Sequence, residues 1–162
     1  MGPVGQFDWH FTGCPHQGGA LAVSEHNATR ILHSVVFTGR SEMLGLHYLT
    51  SLDHGKSWQY KQPIGNTSAR HVDIATSGEQ VFIAWQEIIE QQHYIKLLLI
   101  NHNGEPPTHH QKKVPGSAYP RIVAYKNTLK LFWLEKQQAN LQSLKMTTLS
   151  AATHNRTSGI VL

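Results

Sequence analysis

A chain of 162 residues, 40% apolar and 15% charged, is long enough to bury one sizeable core and too apolar for bulk disorder, so it is one domain or part of one. Its formal charge of +4 is spread along the chain, Lys112-Lys113 is the only adjacent basic pair, and no basic run with interleaved aromatics marks a nucleic-acid surface. No apolar run approaches the roughly 18 to 20 residues of a membrane-spanning helix, and a lone Cys14 excludes an intrachain disulfide.

The opening Met1-Gly-Pro-Val-Gly lacks the charged-then-apolar pattern of an export signal. Sequons at Asn27, Asn66 and Asn155 matter only in a eukaryotic secretory pathway. Histidine is unusual at 12 residues. Because free imidazole titrates near pH ~6.5, a fall from about pH 7 to 5 adds substantial positive charge.

In chain order, a lead containing Phe7, Trp9 and Phe11 reaches Gly13-Cys14-Pro15-His16-Gln17-Gly18-Gly19, which reads as a turn or a close backbone approach. Then come the apolar stretch Ala20-Leu21-Ala22-Val23, a polar loop through Asn27, a strand over 31–37 and the connection Gly39-Arg40-Ser41-Glu42. The next strand, 45–50, runs into Ser51-Leu52-Asp53-His54-Gly55-Lys56-Ser57-Trp58. Ser51 and Asp53 are short acceptors for backbone N–H groups of their own turn, and Gly55 takes the positive φ of a tight reversal. Trp58 offers an apolar face to pin the hairpin, with an indole N–H for a carbonyl.

Ser51, Asp53, Gly55, Ser57 and Trp58 together resemble the Asp-box, also called the bacterial neuraminidase repeat, of sialidases and related β-propellers. The resemblance implies a folding device on a blade periphery, away from substrate, so Asp53 is read as structural.

A second unit begins at 69–75, turns at Ser77-Gly78, continues through 81–87 and adds a strand over 94–100 that ends in Asn101-His102-Asn103-Gly104. A third follows the same plan: 118–124, a turn at Lys126-Asn127, 129–135, then 141–147. Phe37, Trp85 and Trp133 are each 48 residues apart, as are Glu87 and Glu135, and Asp73 and Arg121. A period of about 40 to 50 residues holding three or four short strands is that of propeller blades. Unbroken apolar runs such as 81–85 suit strands covered on both faces.

The expected fold is therefore all-β: three four-stranded β-propeller blades at about 14–65, 66–115 and 116–162, forming part of a six-bladed ring. Three blades do not close a ring, so missing blades of a longer polypeptide or a second identical chain must complete it. Gly13-Cys14-Pro15-His16, Val36-Phe37-Thr38-Gly39, the Asp-box, Ala69-Arg70-His71-Val72-Asp73 and Ala84-Trp85-Gln86-Glu87 extend the resemblance to the later blades of bacterial sialidase-like proteins. That resemblance implies a longer protein, periplasmic or secreted.

In a propeller the ligand site lies at the axis where the innermost strands begin, and there the chain places His16, Arg70, His71, Asp73, Tyr119 and Arg121. A sialidase-like site needs guanidinium groups to grip a carboxylate, a nucleophilic Tyr and an acidic Asp. Arg70 and Arg121 suit the grip with His16 and His71 beside them, while Tyr119 and Asp73 are the weaker catalytic candidates; blade-to-blade hydrogen bonding is the alternative role for Arg70, His71, Asp73 and Arg121. The Phe/Tyr-Arg-Ile-Pro motif that opens true sialidases is absent, Tyr119-Pro120-Arg121-Ile122 only shuffling its letters, and no three-arginine cluster is complete in this chain. Glu87 and Glu135 at equivalent strand ends are what a structural repeat alone produces.

Cys14, His16 and His71 are the one arrangement that hints at a metal, but no carboxylate or Cys-x-x-Cys spacing supports it, and neither metal nor cofactor is expected. Two functions compete: a sialidase-like propeller that binds, or hydrolyses, a glycan or other anionic small ligand at the axis, and a non-catalytic structural or protein-interaction module.

Overall fold

The computed structural model describes residues 3–8, 18–101, 108–113, 117–126, 128–136 and 142–150. Among the described residues, eleven strands form three antiparallel sheets, and the helical element is one 3-10 turn, Ser41–Met43. The first sheet holds β1 (Ala20–His26), β2 (Thr29–Thr38), β3 (Gly45–Ser51) and β4 (Gln59–Ile64), side by side in chain order. The second holds β5 (Arg70–Ser77), β6 (Gln80–Ile89), β7 (Gln92–Asn101) and β8 (Thr108–Lys113) in the same order. The third holds β9 (Ser117–Tyr125), β10 (Thr128–Lys136) and β11 (Gln142–Ser150). A fourth strand expected in this last sheet is not among the described residues, and the expected turn after Asn101 also lies outside them.

The strands are closed by turns whose backbone matches their twist. Asn27-Ala28 between β1 and β2, and Glu90-Gln91 between β6 and β7, each take φ values of 48° and 61°. Two successive left-handed residues make the tight hairpin turn that continues a right-twisted ribbon.

Two cores hold the sheets face to face. Between the first and second lie Val35, Leu46, Tyr48 and Ile64 against Val72, Ile74, Val81, Ile83, Trp85 and Leu98. Between the second and third lie Phe82, Ala84, Ile95, Leu97 and Leu99 against Ile122, Leu129, Leu131, Trp133 and Leu149. The second sheet is thus covered on both faces, which is why 81–85 is apolar without alternation. Each large aliphatic chain buried here contributes roughly 1.5 to 3 kcal/mol.

The packing corrects the 48-residue repeat at its first copy. Trp85 and Trp133 both face the preceding sheet, whereas Phe37 packs into the core shared with the following one. Side chains alternate faces with period two, so an offset of one position is enough to turn a residue to the opposite face. Phe37 is not the counterpart of Trp85; the repeat holds between the second and third sheets.

Residues of the lead cover part of the first sheet's far face. The Phe7 ring lies 5.1 Å from that of His47, and Gly5 sits against Phe7 and Leu49.

Candidate functional site

The second and third sheets begin their inner strands with the same irregularity. In β5, Arg70 pairs with Gln86 and Asp73 with Ala84, so His71 and Val72 stand opposite Trp85 alone. In β9, Ala118 pairs with Leu134 and Arg121 with Phe132, so Tyr119 and Pro120 stand opposite Trp133 alone. These are β-bulges, which bend a strand and re-aim a side chain. His71 (φ 53°) and Tyr119 (φ 56°) both hold left-handed backbone, a conformation costing roughly 1 to 2 kcal/mol for a residue with a Cβ.

The outcome is convergence. The His71 and Tyr119 rings meet at 4.4 Å between centroids, tilted by 51°, and Tyr119 stays 50% exposed. Arg70 and Arg121 lie close enough to the imidazole to disfavour its protonation: partial burial first, then the charges of Arg70 and of Arg121, hold the His71 pKa below the ordinary imidazole value. Arg70 Nε donates to the Ser68 carbonyl at 2.9 Å, which fixes the guanidinium, while Arg121 is exposed. The cluster can hold an anion against one fixed cation, Arg70, one exposed cation, Arg121, and two polar rings.

Asp73 does different work. Its Oδ2 accepts the Ile122 N–H at 2.9 Å, tying β5 to β9. Glu87, 3% exposed, is also engaged between elements: Oε2 accepts from Trp85 Nε1 at 2.8 Å and from the Asn66 N–H at 3.3 Å, and Oε1 pairs with Lys96 Nζ at 3.1 Å. Lys96 was not singled out from the sequence; its signal is its place opposite Trp85 across β6 and β7. His16 and Cys14 lie outside the described residues, and among the described residues no three His, Cys, Asp or Glu side chains gather as metal ligands.

The turn after β3 is a closed hydrogen-bond circuit. Ser51 Oγ donates to Asp53 Oδ1 at 2.8 Å and accepts the Gly55 N–H at 2.9 Å. Asp53 takes the Ser57 N–H on Oδ1 at 2.9 Å and the Ser57 hydroxyl on Oδ2 at 2.6 Å. These donors hold its pKa well below the usual carboxylate range. Trp58 departs from expectation: its shielded Nε1 finds no acceptor among the described residues, and its ring borders an open cleft with Phe7, Met43, Leu49 and Tyr60.

A further constellation, Ser24 Oγ to His33 Nε2 and His33 Nδ1 to Tyr48 Oη, each at 2.7 Å, has the reach of a nucleophile and its base. All three side chains are buried inside the first sheet, and burial pushes the Tyr48 phenol up. It is a core polar chain linking β1, β2 and β3.

No protein-family model and no curated protein matches the chain. Among solved structures it is similar to an alpha-L-arabinanase of Penicillium chrysogenum complexed with arabinobiose, with a TM-score of 0.57 at 14% identity, covering 82% of this chain and 45% of that one. The three sheets are propeller blades. A GH43 endo-arabinanase from Bacillus licheniformis also matches, at 11% identity and a TM-score of 0.29 over 86% of this chain and 74% of that one. The chain spans less than half the length of the Penicillium arabinanase. At such identities the likeness speaks to fold alone.

Proposed function

We propose that the chain forms part of a propeller that binds an acidic carbohydrate at its axial mouth, gripped by Arg70 and Arg121 with His71 and Tyr119 beside it. The observation that carries this is the repeated left-handed bulge: two successive blades hold strained backbone at the same place, and each turns a ring toward the other, with the charges of Arg70 and Arg121 felt at the imidazole. Backbone strain kept at matching positions is characteristic of functional sites. A sugar ligand also fits the arabinobiose complex of the arabinanase that shares the fold.

Binding is favoured over hydrolysis because Asp73, the candidate acid, is already held by the Ile122 N–H. The sialidase-like specificity that the Asp-box resemblance implies is kept as one member of the acidic class. Calorimetry with N-acetylneuraminic acid, an oligogalacturonate and neutral arabinobiose tests the reading. The acidic sugars bind more tightly than arabinobiose, and affinity falls as salt rises. Equal affinity for the neutral sugar, or unchanged affinity in both Arg70→Ala and Arg121→Ala, would overturn it.

A further inference from the structure

Asn66-Thr67-Ser68, a sequon by spacing, lies in the loop that leads into β5. Its two polar side chains are engaged with the fold. Asn66 Oδ1 accepts the Ser68 N–H at 2.8 Å and the Ser68 hydroxyl at 2.6 Å. Ser68 Oγ in turn accepts the Ile88 N–H at 2.8 Å and reaches the Ile88 carbonyl at 3.1 Å, while the buried Glu87 takes the Asn66 N–H through Oε2. The loop is thereby tied to the end of β6, and its Ser68 carbonyl accepts Arg70 Nε at 2.9 Å.

We infer that Asn66 and Ser68 are positioning residues for the axial anion site: they set the Ser68 carbonyl where it fixes the Arg70 guanidinium, which then takes an acidic ligand end-on through its two terminal nitrogens. The inference rests on the axial-site reading above. Arginine carries its N–H donors in a rigid fork, and a carboxylate is gripped by two of its nitrogens at once. Nε is occupied and the terminal nitrogens bond no described residue, so the end of the fork is the edge left for a ligand. A side chain already held in place also loses less freedom when it binds. The third blade shows that this loop goes with the arginine. Ala118 pairs with Leu134 as Arg70 pairs with Gln86, and Val114 and Gly116 stand where Asn66 and Ser68 stand 48 residues earlier. Where the arginine is absent, so are both side chains that hold it.

Exchange of arginine Nε–H protons with solvent tests the hold without any ligand, followed by NMR with the Arg70 signal assigned through Arg70→Lys. The Arg70 proton should exchange about tenfold more slowly than that of the exposed Arg121, as one net hydrogen bond implies. Ser68→Ala and, at the exposed neighbour, Asn66→Ala should each remove most of that protection, and Ser68→Thr, which keeps the hydroxyl, should retain it. Calorimetry with N-acetylneuraminic acid then reads the site: Ser68→Ala should weaken binding about three- to tenfold and add nothing to Arg70→Ala. Equal exchange for Arg70 and Arg121, protection that survives both alanine variants, or a Ser68→Ala loss that persists without Arg70 would each overturn the proposal. A sugar that binds none of these proteins overturns the axial-site reading instead, and the exchange rates still decide the hold on Arg70.

Discussion

Gly65 sits where the loop after β4 crosses the buried Glu87–Trp85 hydrogen bond, and its replacement by alanine gives a calculable loss. Its φ is +68°, and a Cβ there would collide with Glu87 Oε2 and lie 2.6 Å from Trp85 Nε1 and 2.9 Å from the Ala69 Cβ. The left-handed backbone alone costs alanine about 1 to 2 kcal/mol. Forcing the carboxylate and indole apart leaves a buried donor or acceptor unpaired, about 1 to 3 kcal/mol more. Gly78 is the internal control, because its φ is +57° and a Cβ would meet nothing within 4 Å. Gly65→Ala should therefore destabilise the fold by about 2 to 5 kcal/mol and Gly78→Ala by about 1 to 2 kcal/mol. Urea unfolding followed by tryptophan fluorescence measures both, with an unchanged slope confirming a like-for-like comparison. Equal losses for the two variants would refute the steric reasoning.

Removing a guanidinium that makes charge-assisted bonds costs roughly 1.5 to 3 kcal/mol, so Arg70→Ala or Arg121→Ala should weaken an acidic sugar about ten- to a hundredfold by calorimetry. His71 is neutral when free because burial and the two arginines depress its pKa; a bound carboxylate favours the imidazolium, so affinity should rise as pH falls below about 6.5, and His71→Gln should abolish that rise. For Asp53 the folded pKa is depressed, so its stabilisation is present above the ordinary carboxylate value of about 3.9 and is lost as pH falls below it. Acid unfolding of Asp53→Asn should lack that component while sugar affinity at neutral pH is unchanged.

The turn at 51–58 was legible because each of its bonds is local: Ser51, Asp53, Gly55 and Ser57 satisfy one another within eight residues. The strands around Trp85 and Trp133 were legible because both faces are buried, which leaves unbroken apolar runs. Phe37 misled for the same reason. Where apolar residues occupy both faces, spacing alone does not say which face a residue takes, and only packing resolves it. Arg70 opens β5 and Arg121 lies within β9, but the left-handed bulges beside them were not legible, since a histidine, though enriched at positive φ, signals it only weakly and a tyrosine does not signal it at all. Asp73 reads from the sequence either as a weak acid candidate or as a blade-to-blade hydrogen-bonding group; its bond to Ile122 is of the second kind, although the partner, 49 residues away, is one that no local pattern names. The Glu87–Lys96 pair was hidden likewise, as it depends on the register of β6 against β7.

The most direct measurement of the axial anion site is the titration of the His71 ring by NMR, with its signal assigned through His71→Gln. Free protein should show His71 titrating below the ordinary imidazole value, and saturating N-acetylneuraminic acid or oligogalacturonate should move that titration upward as a carboxylate settles between Arg70 and Arg121. A His71 that titrates like free imidazole, or one that no acidic sugar moves, would contradict the account.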